Sequence, residues 1–449
     1  MLSTKRLSIV GVGAAITASI LVGGKAHAAT FTYTKIVDTS TPVPGGLGNF
    51  ELFDPPSLEG KNVAFRGYGF GSQSGIYTNI GNSINLLNNT NDPNPKTEAI
   101  RFFNLPSIDN GNVAYSGFNL LQQGLRDTGA RIFIDFNGSP KLIADKNTSA
   151  PGGTGNFNYF GSPSLDNGNV AFFGIADPNL ISGLRGIYTY IDGSLKVVAD
   201  TNTLVPGKTI KFKNFANPSL NKGNVAFQGI GFDSEGIYTD LGGSLNVVAD
   251  TKSAIPNGIG NFSRLDSPSL EAGNVAFRGF GSKMQRGIYT NIGGSLNVIA
   301  DTNTLVPDGA GNFRSFSGLS FNNGNVAFGN VKSENPFFFD GPLEGIYTNL
   351  GGSLTKVIDI NNSLDGKTID FLGFGQEGLS GDSLAFTAYF TDGSRGIFRA
   401  DAVLSPAKSV PESTNTLGVL AFGVFGVSSL LKRKQKSASG ITSKTIDYT

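Results

Sequence analysis

An all-β fold, a seven-bladed β-propeller of four-stranded antiparallel blades, follows from three features of the sequence: a blade-sized repeat, short β-rich runs with tight turns inside each copy, and two chain ends that complement each other. The aromatic that ends each "NVAF"-like run marks the repeat. It falls at Phe65, Tyr115, Phe172, Phe227, Phe277, Phe328 and Phe386, with spacings of 50, 57, 55, 50, 51 and 58 residues. Seven copies at this period suit a closed propeller, whereas a linear solenoid would need capping units that the sequence does not show.

Each copy divides into four runs bounded by Gly, Asn, Asp and Pro. Strand A is "NVAFRG", with Val275 and Phe277 on one face and the small Ala276 on the other; strand B is "RGIYTNI", around Ile288 and Tyr289. Strand C is "SLNVIAD", and strand D runs through "GNFRSF" to "LSF", with Phe313 and Phe316. Gly242-Gly243, Gly293-Gly294 and Gly351-Gly352 are placed to join B to C as two-residue hairpins, where positive φ suits glycine. The triplets "EAG", "NKG" and "DNG" join D to the next A just as closely. Four such strands make a meander, and Ala in the middle of "VAF" lets neighbouring twisted sheets approach.

The ends predict closure. "FTYTKIVDTSTPVPGGLGNF" from Phe31 matches "SLNVIADTNTLVPDGAGNF", so the body begins on a C strand with no A or B before it. The last copy has A at Leu384 to Ala388 and B at Gly396 to Arg399 but no clear C. The N-terminal segment is therefore expected to complete the last blade and remove the open edges of a linear array.

The first 28 residues read as a cleavable signal peptide: Lys5 and Arg6, an apolar run from Leu7 to Gly24, then Ala26-His27-Ala28, with cleavage between Ala28 and Ala29. Export follows. His27 is the only histidine, so the mature chain has no His, Cys or Trp. This excludes a Ser-His-Asp triad, a cysteine nucleophile, a His or Cys zinc site, haem ligation, iron–sulfur clusters and disulfides. Carboxylates, Lys, Arg, Tyr, hydroxyls and oxygen-ligated cations remain. Residues 29 to 411 hold 27 Lys and Arg against 32 Asp and Glu, a net charge of −5 that argues against a nucleic-acid partner.

Near the C-terminus, Val410-Pro411-Glu412 precedes an apolar run from Leu417 to Leu431, followed by Lys432, Arg433, Lys434 and Lys436. Fifteen helical residues cover about 22 Å, short of a hydrocarbon core of about 30 Å. This order of motif, short Gly-rich transmembrane helix and basic stop resembles the PEP-CTERM sorting signal, which implies an exosortase-type processing enzyme as partner. Ser413 stands where that family usually has a second proline, and the tail continues to Thr449. The alternative is a simple C-terminal anchor with its basic side in the cytoplasm. The chain is thus divided into a signal peptide (1–28), a propeller (29–404), a linker (405–409), a sorting signal (410–436) and a polar tail (437–449).

The stretches "NKGNVAFQG", "NNGNVAFGN" and "SEGIYTDLGGS" resemble the repeats of bacterial exported surface proteins with the pattern NxxGxVAF, GIY, GG. Over residues 31 to 404 that resemblance implies a β-propeller and supplies no catalytic residue.

Strand C ends on an acid in most copies: Asp38, Asp145, Asp200, Asp250, Asp301 and Asp359, with Asn89 in the first. Calcium ligation and an Asx turn are the two readings, and the absence of a second nearby carboxylate favours the turn; no cofactor is expected. For a paired-carboxylate hydrolase the candidates are Asp233, Glu235, Glu334, Asp340, Glu344 and Glu377. The A–B connection is longer in copies two, three and six, and in copy six it carries Phe337, Phe338 and Phe339, a candidate stacking loop. The sequence favours an exported surface or matrix binding module for a polysaccharide or surface protein, with a carbohydrate-active hydrolase or lyase as the alternative.

Overall fold

The computed structural model describes residues 29–90, 100–120, 126–153, 155–176, 183–309, 311–331 and 342–404, which fall in one compact unit. Ala28, Val410, Pro411, Glu412, the run Leu417 to Leu431, and Phe337 to Phe339 lie outside them. Ala29, on the other side of the expected cleavage point, is buried just before the first strand. The described residues are all-β with antiparallel pairing throughout, interrupted by short 3-10 turns. None of their helices is long and apolar enough to cross a membrane.

Each repeat sheet runs in the order D, A, B, C. In the first, Phe50–Phe53 and Ser57–Glu59 pair with Asn62–Gly69, which pairs with Gln73–Thr78, which pairs with Asn85–Asn89. The last two repeats share one ten-stranded sheet through the single pair Leu343↔Leu372. Thr30–Asp38 occupies the C position beside Arg395–Val403, in register from Thr30↔Val403 to Asp38↔Gly396.

Two local details depart from the sequence expectations. Strand D is broken in most repeats, because prolines such as Pro55 and Pro56 have no N–H to give strand A. Arg264–Glu271 stays continuous around Pro268 by bulging between Asp266 and Ser269, with Ser267 at φ 52°. The Gly242-Gly243 hairpin forms as expected, closed by Leu241↔Ser244. At Gly293-Gly294 and Gly351-Gly352 a 3-10 turn replaces it. There Asn291 and Asn349 use their Oδ1 to accept the N–H of Val275 and Val326 (2.6 Å each), which draws the chain toward strand A before the hairpin can close.

The core lies between sheets. Ala171, Ile187 and Ala199 of one repeat pack on Phe212, Phe215, Val225, Phe227 and Tyr238 of the next. The same exchange joins Ala226, Ile237 and Ala249 to Phe262, Val275, Phe277 and Tyr289. It recurs between the last repeat and the first, where Val37 and Ile397 meet Phe50, Phe53, Phe65 and Tyr77, and Ala385 meets Leu58 and Val63. All seven marker aromatics are fully buried. Within a sheet, Phe262 meets Tyr289 edge-on at 5.0 Å, and a Cβ on Gly279 would lie 2.4 Å from the Phe262 ring, so only glycine fits there.

Candidate functional site

The seven innermost strands are linked by a repeated serine device. Ser57 Oγ accepts the N–H of Ile108 (3.1 Å), and Ser107, Ser164, Ser219, Ser269 and Ser320 likewise accept from Leu165, Leu220, Leu270, Phe321 and Leu379. The seventh repeat has Gly378 where the others have serine, and the N–H of Leu58 donates instead to the backbone carbonyl of Glu377 (2.8 Å). One turn further along, Asp109, Asp166, Asn221 and Asn322 accept N–H groups of Asn167, Lys222, Ala272 and Gly381. The serines thereby satisfy buried N–H groups that neighbouring edges cannot pair, and the second set ties exposed turns of one repeat to the next.

Glu377 sits at the centre of this array. Its carboxylate accepts Ser57 Oγ and Ser164 Oγ, each at 2.9 Å, and Ser107 also bonds to it. Three serines therefore give their hydrogens to one carboxylate while their oxygens hold the next strand. Burial pushes the Glu377 carboxyl up, the serine hydroxyls oppose the shift, and Asp109 adds to it. Asp109 is itself raised, by burial first and also by Asp166, against the Asn167 N–H.

Gln376 and Glu377 line two small cavities at this centre. One, of about 80 Å³, is ringed by Pro55, Pro56, Pro106, Pro163 and Pro218. The other, of about 130 Å³, is ringed by Glu59, Asp109, Asp166, Glu271, Asn322 and Ser380. A third cavity, of about 320 Å³, opens beside Leu105, Leu319, Leu343, Leu372, Phe374 and Gln376. This one reaches the size at which small ligands are commonly enclosed.

The sequence-derived acids disperse. Asp233 is exposed in an A–B loop. Glu235 accepts Gln228 Nε2 (2.9 Å) and the N–H of Leu265 (3.1 Å), and Glu344 is half-buried at the start of a B strand. Glu334 and Asp340 lie outside the described residues. Among the described candidates only Glu377 reaches the centre, and the acid it senses there, Asp109, was not among the candidates. The strand-end acids make Asx turns: Asp200 Oδ1 accepts the N–H of Asn202 (2.9 Å) and Thr203 Oγ1 (2.8 Å), and Asp38, Asp145, Asp250, Asp301 and Asp359 repeat the backbone contact. Burial disfavours the Asp38 charge, but Ser40 and Lys35 outweigh it and hold the carboxyl at about 2. Among the described residues no three acids gather as a metal site. The serine device was missed because "PSL" looks like ordinary strand-end sequence; its recurrence at Ser57, Ser164, Ser219 and Ser269, with "PSI" at Ser107, was the available signal.

Exposed apolar side chains mark a second region. Leu47, Phe70, Leu204, Phe232, Ile259, Met284 and Leu305 are each more than half exposed, and all lie in A–B or C–D connections. Because neighbouring strands are antiparallel, these connections share one end of the sheets. No other large apolar residue among those described is as exposed.

The fold and its centre define an all-β repeat protein of antiparallel sheets linked through their innermost strands. The chain belongs to a family of unknown function (DUF7453), matched over residues 32–233 and 223–384. No curated protein matches it. Similar solved structures include an oligogalacturonate lyase from Vibrio parahaemolyticus, at 14% identity and TM-score 0.46, covering 84% of this chain and 98% of that one. An acylaminoacyl peptidase from Pyrococcus horikoshii follows at 12% and 0.43, covering 75% of this chain and 48% of that one. The β-propeller domain of a protease from Pyrococcus furiosus has 12% identity and TM-score 0.35, covering 70% of this chain and 100% of the domain.

Glu377→Gln tests the central carboxylate. The folded state holds the Glu377 proton more tightly than the unfolded chain, whose carboxyl titrates near about 4.3. Stability is thus lost as pH rises from that value through the raised folded one, and the penalty is complete above it. Glutamine keeps an acceptor without the charge, so E377Q is expected to melt higher than the parent at pH 8 and to converge with it at pH 4. A gap independent of pH would contradict this account.

Proposed function

We propose that the chain is an exported seven-bladed β-propeller, closed by Thr30–Asp38 and working as a surface or matrix binding module for a surface protein or polysaccharide. The observation that carries this reading is the confinement of the most exposed apolar side chains to the A–B and C–D end. Isolated apolar residues are normal on any surface, but their segregation to one end is a feature of interaction faces. The cavity of about 320 Å³ includes Leu343, the first residue of the strand that follows the copy-six insertion. Phe337, Phe338 and Phe339 belong to that insertion and are proposed as part of the binding face. The signal peptide would deliver the body outside the cytoplasm. The PEP-CTERM-like segment would hold it at the membrane through Leu417 to Leu431 until an exosortase-type enzyme acts.

An axial hydrolase would have to use Glu377 and Asp109. Both carboxylates are engaged in bonds that join repeats, and their cavity of about 130 Å³ is small for a sugar ring. Shortening the copy-six insertion to the copy-five length tests the binding reading. The variant is expected to keep the parent melting temperature and to lose about tenfold or more in binding on a glycan array and on immobilised surface proteins, a loss of about 1.4 kcal/mol. Unchanged binding would move the site elsewhere, and release of reducing sugar from a bound glycan would establish the enzymatic alternative.

A further inference from the structure

Repeats four and five carry a more specific surface on the same end of the sheets. Leu204 and Phe232 project from the fourth repeat, and Ile259 and Met284 from the fifth. Their loops are held in place rather than loose. Gln285 Oε1 accepts the N–H of Ile259 (2.9 Å), and Gln285 Nε2 donates to the Ile259 carbonyl (3.0 Å), so the Ile259 and Met284 tips are tied together. Lys208 Nζ donates to Ser234 Oγ and to Asp250 Oδ2 (3.0 Å), which ties the Leu204 loop to the Phe232 loop. Lys213 Nζ lies 4.2 Å from the centre of the Phe232 ring.

Charge is distributed to match. Lys211, Lys213, Lys252 and Lys283 are exposed in these four connections, and Asp233 is the only acid within them. Counted the same way, the B–C and D–A connections at the opposite end hold Lys61 and Lys222 against Asp192 and Asp382, so they carry no excess of lysine. These four connections of repeats four and five are therefore locally basic on a body that is acidic overall. An anionic surface would attract them.

We infer that Leu204, Phe232, Ile259 and Met284, with Lys211, Lys213, Lys252 and Lys283, form a docking surface for an anionic lipid bilayer. The chemistry favours lipid over polysaccharide. Three of the four tips are aliphatic and offer no flat ring for a sugar to stack on, but each suits insertion at the boundary between headgroups and acyl chains. Surrounding lysines at headgroup level supply the second, electrostatic contribution that stable peripheral attachment needs. This inference shares four exposed tips with the proposed binding face and assigns them to lipid, whichever ligand the cavity beside Leu343 takes.

The absence of tryptophan from the chain makes a clean test available. In the full-length protein, Phe232→Trp places a single reporter in the patch, and Ile292→Trp places one at the opposite end. Vesicles of phosphatidylglycerol and brominated phosphatidylcholine are expected to blue-shift and quench the Trp introduced at position 232 but leave that at position 292 unchanged. Each lysine near an anionic surface contributes several-fold to attachment, so replacing Lys211, Lys213, Lys252 and Lys283 by Ser should lower the quenching at position 232 at least about tenfold. Raised salt should do the same. Local contact is read directly, so attachment through another part of the chain cannot mimic the result. No quenching at position 232 by anionic vesicles, or equal quenching by vesicles of brominated phosphatidylcholine alone, would overturn the inference. An emission change with dissolved polygalacturonate and none with vesicles would reassign the patch to polysaccharide.

Discussion

Deleting Thr30–Asp38 is expected to remove cooperative unfolding or to lower the melting temperature sharply, and to make the protein associate as its concentration rises. The strand pairs with Arg395–Val403 along most of its length and buries Val37 against Ile397, Phe50 and Tyr77. Tyr33 Oη donates to the Val357 carbonyl, and Lys35 pairs with Asp365 at 2.9 Å. The lost Val37 burial costs roughly 1.5–3 kcal/mol, and each lost backbone hydrogen bond about 0.5–1.5 kcal/mol. The sum approaches the 5–15 kcal/mol margin typical of a folded domain, roughly speaking. The deletion also leaves Arg395–Val403 as an unpaired edge, which explains the expected association. Differential scanning fluorimetry and light scattering decide the matter: a deletion variant that melts like the parent and stays monomeric would show that the strand is dispensable.

Arg278→Met is expected to cost about 3 kcal/mol, at the lower end of the range for breaking a buried ion pair. Arg278 and Asp266 are almost fully buried, with Nε to Oδ1 at 2.6 Å, and Arg278 Nη1 donates to the Phe316 carbonyl (3.0 Å) in the next repeat. Methionine fills much of the volume but leaves the Asp266 charge with only the half-exposed Arg264, at 2.9 Å, as a partner. The double variant Arg278→Met, Asp266→Leu should recover most of the loss, because neither charge is then left unmatched. The first repeat has the same arrangement in Arg66, which pairs with Asp54 and donates to the Phe103 carbonyl, but there the pair is about a quarter exposed. Arg66→Met should therefore cost less. Urea unfolding of the four proteins gives the comparison. A double variant as unstable as Arg278→Met alone would mean that the shape of the arginine matters more than its charge.

The strands, their antiparallel order and the C-strand partner for the last repeat were legible because they rest on local chemistry repeated seven times: alternating apolar residues, glycine turns and complementary ends. The Asx turns were legible for the same reason, since Asp200 reaches only two and three residues ahead. All six candidate carboxylates were named without any means of knowing whether they would meet, because the spacing along the chain says nothing about which loops of different repeats converge. Glu377 shows the limit most clearly. In sequence it is a loop acid beside Gly378, and only the approach of repeats one, two and three to the seventh brings Ser57, Ser107 and Ser164 around it.

By itself, then, the sequence determined the all-β class, the order of strands within each repeat and the chemistry closed to a chain without Cys, Trp or a second histidine, because each depends on neighbours a few residues apart or on composition alone. Tertiary structure decided the serine links, the ring of serines around Glu377 and the gathering of apolar tips at one end. Those depend on contacts between side chains some fifty or more residues apart, whose directions are set by how the twisted sheets pack.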